Sequence, residues 1–221
     1  MTFFDQLIAL NQLDRFGFKR WLFYPGMLFG SRRTWWGAGR PRPFTHEGVD
    51  LCFFEAADGR RYRLDPAVRV PASENGTVVA MVDDFIGKTI VCTHTGNWGA
   101  GVPVYILYAH VVPSEALTPG AAFQKGEPLA QIAPADPGKT PLPPHLHLSV
   151  IRKDALPHPL PPSFGWPYIN RLDRDAFYDP LSLAGPTKGS VRIIDFDPAM
   201  DERSEYALRA GQIGGGGTQT P

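Results

Sequence analysis

Short apolar runs separated by turn residues fill the middle of the sequence. Four of them lie at residues 67–70, 76–82, 88–93 and 104–109, with glycine, asparagine and proline between them. Short strands at regular spacing are typical of β-sandwiches and β-barrels. Glycine and proline, 23 of each in 221 residues, favour a loop-rich chain of the same kind. We therefore predict a mostly β fold, with an antiparallel sheet or barrel-sandwich hybrid core.

The two ends of the chain differ in character from this middle part. Apolar residues recur near helical spacing at the start, which predicts a short helix that docks on the chain's own sheet. After residue 151 the sequence becomes proline-rich and then aromatic, and residues 214–221 are expected to be disordered. We predict an N-terminal helix and loop appendage at 1–40, a core at 41–155, and an irregular C-terminal extension at 156–221.

The composition excludes several classes of function. Lysine plus arginine equals aspartate plus glutamate at 22 each, so no basic surface suggests nucleic acid. The sequence contains no apolar stretch long enough to span a membrane and no recognisable signal peptide. Cys52 and Cys92 lie in apolar runs, so we expect two buried reduced thiols rather than a disulfide. The oligomeric state is not predicted.

Two histidines alternate with apolar residues in the run Pro144-His145-Leu146-His147. In a strand, positions i and i+2 share a face and are roughly 7 Å apart, so both imidazoles can converge on one ion or substrate atom. An isolated pair of histidines with this spacing is more often a surface or core feature. Further polar residues are needed to favour a functional site.

Those residues lie upstream. His46 and Asp50 would be about 13 Å apart in a straight strand, and we expect Gly48 to let the backbone bend and bring them together. His110 ends the run at 105–110. Imidazole and carboxylate groups suit zinc, and a catalytic zinc site uses three protein ligands with one position left for water. These residue types alone do not show whether His145 or His147 is the ligand.

Three motifs in this order resemble the M23 family of zinc metallopeptidases, the lysostaphin- and LytM-type peptidoglycan endopeptidases. The motifs are His-X3-Asp at 46–50, Tyr-Ala-His at 108–110 and Pro-His-Leu-His at 144–147, with Phe-Gly-Ser-Arg at 29–32 in support. The resemblance covers roughly residues 25–185. It implies that His46, Asp50 and His147 bind zinc, while His110 and His145 face the reacting water and the substrate carbonyl.

The resemblance also implies an activity. It is zinc-dependent hydrolysis of peptide bonds in bacterial peptidoglycan by a metal-activated water, in the cell envelope or outside the cell. Either His110 or His145 would be the base. The alternative is a non-catalytic peptidoglycan-binding or regulatory module on the same fold. A lipoyl-like carrier, suggested by Lys125 in a glycine-flanked turn, explains none of the histidines.

Two insertions distinguish the sequence from the family pattern, and both are expected to border the groove. One is a hairpin at 55–66 with its turn at Asp58 and Gly59, and the other is an enlarged loop at 95–103. For the remaining candidates we favour structural roles: His94 in packing or facing solvent, His158 exposed, and Tyr105, Tyr108 and Trp98 packing rather than lining a groove.

Overall fold

The computed structural model describes residues 1–36, 39–94, 103–136, 138–184, 190–195 and 204–206. Its helices are α1 (Phe3–Leu10), α2 (Trp166–Ile169) and α3 (Pro180–Ala184), with 3-10 turns at Leu13–Phe16, Pro25–Met27, Lys153–Ala155 and Arg174–Ala176. The strands are β1 (Phe18–Phe23), β2 (Gly48–Leu51), β3 (Phe53–Ala56), β4 (Arg61–Arg63), β5 (Arg69–Pro71), β6 (Gly76–Asp83), β7 (Lys88–His94), β8 (Val104–Pro113), β9 (Ala122–Phe123), β10 (Pro128–Ile132), β11 (Leu146–Arg152), β12 (Phe177–Tyr178), β13 (Ser190–Ile193) and β14 (Glu205–Tyr206).

The larger sheet carries the candidate site. Its strands run in the order β12-β11-β8-β7-β6-β9, with β2 paired to β11 and with β10 paired to both β5 and β8. All of these pairings are antiparallel. Neither sheet closes into a barrel within the described residues, and the predicted mostly β, antiparallel fold class is confirmed. Strand β11 lies between β8 on one edge and β2 and β12 on the other, so it is central to this half of the sheet.

A smaller sheet orders β13-β1-β3-β4-β14 and is built around the inserted hairpin. The run that begins at Gly48 serves both sheets, because β2 pairs with β11 and β3, after Cys52, pairs with β1 and β4. The predicted hairpin is confirmed as β3 and β4, and its turn uses the left-handed conformation of Gly59, at φ +85°.

Helix α1 docks on the chain's own sheets, as predicted. Its first turn is capped by Thr2 and Asp5, each side chain accepting the other's backbone N–H. Phe3 packs 6.0 Å from the ring of Tyr108, centroid to centroid, in the buried core. This apolar cluster contains residues both from the first 40 positions and from the predicted core at 41–155. The division of the chain into three parts stays a prediction.

Other expectations from the sequence have the following outcomes. Cys52 and Cys92 are both buried thiols, as predicted. Tyr105 and Tyr108 are fully buried in packing positions, and His158 is exposed. Trp98, the loop at 95–102 and the tail at 214–221 lie outside the described residues. None of the described helices has the length and apolar character needed to cross a membrane.

Candidate metal centre

The pairing of β2 with β11 places Asp50 directly opposite His147. Side chains of directly opposed residues project from the same face of an antiparallel pair, a few ångströms apart. Asp50 Oδ1 lies 2.7 Å from His147 Nδ1, and both residues are buried. The register of these two strands therefore brings together two of the three residues that the resemblance implies as zinc ligands.

His46 completes the cluster from the segment just before β2. Its backbone N–H donates to Ser31 O at 2.9 Å, and its carbonyl accepts from Gly30 N–H at 2.8 Å. Its Nε2 lies 3.3 Å from Asp50 Oδ1 and 3.2 Å from His147 Nδ1. Two imidazole nitrogens and one carboxylate oxygen thus converge in a buried space, a donor set that zinc prefers.

The other ring nitrogens of the two histidines each have an acceptor of their own. His46 Nδ1 lies 3.1 Å from Leu28 O, and His147 Nε2 lies 2.9 Å from Glu47 Oε1 and 2.7 Å from Ser149 Oγ. Because a carbonyl can only accept, His46 carries its proton on Nδ1 in the neutral form, which leaves the Nε2 lone pair facing the cluster. An outer ring of acceptors that orients imidazoles in this way is typical of metal sites.

Asp50 is oriented in the same manner. Its Oδ2 accepts a 2.6 Å hydrogen bond from the indole Nε1–H of Trp35 and lies 3.6 Å from the guanidinium of Arg42. Arg42 is itself held by Gly26 O at 3.0 Å. With Oδ2 occupied, Asp50 offers Oδ1 to the cluster. The residues present therefore fit a divalent ion such as zinc.

The charges in the cluster lower the pKa values of its two acids and raise the pKa of His147. Burial would raise the pKa of Asp50, but His46 and His147 hold it well below its usual value. Burial would likewise raise the pKa of Glu47, and the same two histidines lower it to about 2. Burial would lower the pKa of His147, but Glu47 and Asp50 raise it to about 10. Both carboxylates are thus charged, and in the metal-free protein His147 holds a proton that a metal ion would have to displace.

Gly48 serves the site for a different reason from the predicted one. It is the first residue of β2, and its φ is not in the left-handed region. A Cβ at this position would overlap Leu148 O and would lie 2.7 Å from Ser149 Oγ and 2.8 Å from His147 Nε2. The glycine is therefore required for the close approach of β2 to β11.

His145 lies beside the cluster, just before the first residue of β11. Strand β11 begins at Leu146, two residues after Pro144, which has no N–H to donate to a ladder. His145 Nδ1 lies 2.9 Å from Pro143 O, and Nε2 lies 3.8 Å from Asp50 Oδ1. Burial is the main cause that lowers the pKa of His145 to about 3, so its ring is neutral. The Nε2 lone pair consequently faces the site.

His110 reaches the same space from β8. Its ring centroid lies 4.8 Å from that of His145 and 5.7 Å from that of His147. The strand continues past His110 to Pro113, whereas the sequence predicted its end at this residue. His110 adopts φ +61°, a left-handed conformation that is uncommon outside glycine. The structure thus brings all five predicted site residues together, while their individual roles stay predictions.

A cavity of about 280 Å³ opens over these residues. Among the described residues, Phe44 and Phe85 are large apolar side chains that remain 50% and 65% exposed, and both lie along the cavity. Trp166 of α2 contributes a wall, with its ring 5.5 Å from that of His147. The apolar and aromatic lining consists of Trp36, Pro43, Phe44, Phe85, Leu142 and Trp166.

Several residues of the site were not predicted from the sequence. Glu47 lies inside the His-X3-Asp motif, and its position there was the available signal. Trp35 and Arg42 lie in a loop without periodicity, and Asp84, which contacts His110, is a turn residue. Nothing in the local pattern around these three residues indicates a part in the site.

Comparisons with known proteins give matches among solved structures. No family model matches the sequence, and no curated protein matches it. Lysostaphin from Staphylococcus simulans is 18% identical with a TM-score of 0.44, covering 96% of this chain and 56% of that one. LytU is 17% identical with a TM-score of 0.41, covering 69% and 78%.

A solution structure of lysostaphin is 18% identical with a TM-score of 0.36. The match covers 49% of this chain, and the chain spans 37% of the length of that structure. At such identities and TM-scores, these likenesses do not assign an activity to the chain.

Proposed function

We propose that this protein is a zinc-dependent endopeptidase that hydrolyses peptide bonds of bacterial peptidoglycan. The observation that carries the proposal is the convergence of His46 Nε2, His147 Nδ1 and Asp50 Oδ1, within 3.3 Å of one another, in the lining of a cavity. Bound zinc would supply Lewis acidity, which polarises a peptide carbonyl and acidifies water.

His145 is the better placed general base of the two remaining histidines. Its Nδ1–H donates to Pro143 O, so the Nε2 lone pair points toward the cluster. A neutral imidazole with a free lone pair can accept the proton of an attacking water. Burial lowers the pKa of His145, which leaves its lone pair free at physiological pH and also makes the ring a weaker base than an exposed imidazole.

His110 lines the same cavity as His145 and is the second histidine available to the reacting group. Its ring lies 4.8 Å from that of His145 and lines the cavity. In the imidazolium form of His110 the cavity-facing nitrogen also carries a proton, which can stabilise a developing oxyanion or be passed to the leaving amine. The two histidines thus divide proton acceptance from proton donation.

The choice of peptidoglycan depends on the three sequence motifs and their order, which resemble the M23 family. The cavity is compatible with a peptide, since its aromatic walls can pack against an extended chain while the histidines reach the scissile bond. A peptidoglycan peptide is accordingly the proposed partner, and the cell envelope or the extracellular space the proposed location.

The test is digestion of purified peptidoglycan of several cross-link types, with detection of new amino groups and mass analysis of the fragments. We expect about one zinc per chain, release that stops with a chelator and returns with zinc, and loss of release in His46→Ala. His158→Ala, at an exposed histidine, is the matched control and should cleave normally. Absence of both zinc and cleavage would contradict the proposal, and binding without cleavage would favour the non-catalytic module.

A further inference from the structure

We propose that Asp84 is the positioning residue of His110, fixing its imidazole so that Nδ1 faces the carboxylate and Nε2 faces the groove. The inference deepens the proposed endopeptidase function and depends on it for its kinetic readout. It concerns a residue 26 positions away from His110 in the chain, in the turn between β6 and β7.

The backbone at His110 is irregular. Lys88 pairs with Val111 and Ile90 with Tyr108, so Ala109 and His110 together stand opposite Thr89. This extra residue is a β-bulge, a feature that redirects a side chain and is frequent beside active sites. A left-handed φ in a non-glycine residue is energetically unfavourable and needs support from its surroundings.

Asp84 supplies that support. Its side chain is fully buried, and its Oδ2 accepts the backbone N–H of His110 at 3.0 Å. Its Oδ1 accepts from Ile86 N at 2.9 Å and Gly87 N at 2.7 Å, which holds the carboxylate in place within its own turn. The anchored carboxylate thus fixes the bulged backbone from the neighbouring hairpin.

The same carboxylate also faces the ring. Asp84 Oδ1 lies 3.2 Å from His110 Nδ1, at ion-pair distance but outside the angular range of a hydrogen bond. A carboxylate repels a nitrogen lone pair and attracts an N–H, so it favours the proton on Nδ1. Burial would raise the pKa of Asp84, but His110 and the turn N–H groups hold it well below its usual value, so the charge is present. Nε2 is then the nitrogen left for the groove.

A third contact of Asp84 leads to a residue that lines the cavity. Thr89 donates its hydroxyl to Asp84 Oδ2 at 2.9 Å and accepts the indole N–H of Trp166 at 3.0 Å. Trp166 lines the cavity. The two hydrogen bonds of Thr89 therefore connect this cavity residue to Asp84, which contacts His110. The ring of Phe85 also contacts His110, with 4.8 Å between the two ring centroids. The two consecutive residues Asp84 and Phe85 therefore both contact the ring of His110.

The test compares Asp84→Asn with Asp83→Asn in the zinc-loaded protein. Asparagine keeps an acceptor for the turn but removes the charge, whereas Asp83 is 86% exposed and pairs with Lys88. We expect kcat to fall at least about tenfold in Asp84→Asn, with KM and zinc content unchanged, and no change in Asp83→Asn. Nitrogen-15 NMR of the His110 ring should show the proton on Nδ1 in the wild type and a shift toward Nε2 in Asp84→Asn.

An unchanged His110 spectrum in Asp84→Asn overturns the proposal, as does an unchanged kcat in an enzyme that cleaves. If the wild type does not cleave but the spectrum shifts, the endopeptidase function fails while the positioning of His110 stands. Should Asp84→Asn not fold, Thr89→Val keeps the shape of its side chain and removes one donor to Asp84. It should shift the His110 spectrum in the same direction by a smaller amount, and no shift would overturn the proposal.

Discussion

Asp50 and His147 face each other across β2 and β11, with Oδ1 and Nδ1 2.7 Å apart. Their separation is set by the distance between the two strands. That distance depends on Gly48, which pairs with Ser149 in the same ladder and has no side chain to hold the strands apart. The geometry of the candidate metal cluster is therefore sensitive to one methyl group.

Gly48→Ala is predicted to weaken both the fold and zinc binding. The new Cβ would overlap Leu148 O and crowd Ser149 Oγ and His147 Nε2, so the strands must separate. Overpacking of this kind costs about 1–3 kcal/mol, and disturbed support of a ligand lowers metal affinity by at least about tenfold. Urea unfolding and zinc competition with a chromogenic chelator measure the two effects.

The control for this substitution is Gly165→Ala, where the nearest atom to an added Cβ is 3.9 Å away. It should leave zinc affinity unchanged. Wild-type zinc affinity in Gly48→Ala would contradict the close-approach argument.

Zinc binding is predicted to release about one proton and to strengthen as the pH rises. Glu47 and Asp50 overcome the effect of burial and raise the pKa of His147 to about 10, above its unfolded value, so the metal-free protein holds this proton at pH 6–8. Zinc must displace it, which makes the apparent affinity rise about tenfold per pH unit in that range. Titration calorimetry in buffers of different ionisation enthalpy counts the protons released.

Glu47→Gln separates this explanation from a general effect of pH. The amide still accepts a hydrogen bond from His147 Nε2 but removes a charge that raises the pKa of His147, so fewer protons should be released near pH 8. Glu115→Gln, at an exposed carboxylate, should behave as the wild type. Equal proton release in all three proteins would show that Glu47 does not control the protonation of His147.

The local sequence pattern was sufficient to predict the bounds of much of the larger sheet. Strands β6 and β7 lie within one residue of their predicted bounds, because alternation and glycine turns are encoded in consecutive residues. The strand β8 extends past its predicted end, since the bulge at His110 depends on Asp84 and Thr89 in another hairpin. The split at Cys52 depends in turn on which sheet each half of the run joins.

For the site, too, the local sequence predicted some features, and tertiary contacts determine the others. Motifs indicate which histidines and aspartate to consider, but spacing alone put His46 and Asp50 about 13 Å apart. The loop contacts of His46 and the opposition of Asp50 to His147 are tertiary relationships. Trp35 and Arg42, which occupy Asp50 Oδ2, belong to an irregular loop whose path is set by packing. No periodic pattern encodes such partners.

Phe44→Ser is predicted to raise KM with little effect on kcat. The ring is half-exposed beside the cavity, so its apolar surface is available to a substrate and contributes little to the fold. Covering a ring of this size contributes about 1–2 kcal/mol, which corresponds to a KM increase of about five- to thirtyfold. Val112→Ser is the control, because Val112 is equally exposed but does not line the cavity. A KM that stays the same would remove Phe44 from the substrate surface.

His94→Phe is predicted to become more stable relative to the wild type as the pH falls. His94 packs against Phe123, and burial lowers its pKa to about 4 although Glu74 opposes this. The unfolded chain, with a histidine pKa near 6.5, therefore binds the proton more readily, so wild-type stability falls between about pH 6.5 and pH 4. Phenylalanine removes this titration, and the difference in unfolding free energy between the two proteins should shift by about 1–2 kcal/mol in favour of His94→Phe from pH 7.5 to pH 5. Urea unfolding at both pH values measures it, and a difference that does not vary with pH would show that His94 titrates normally in the folded protein.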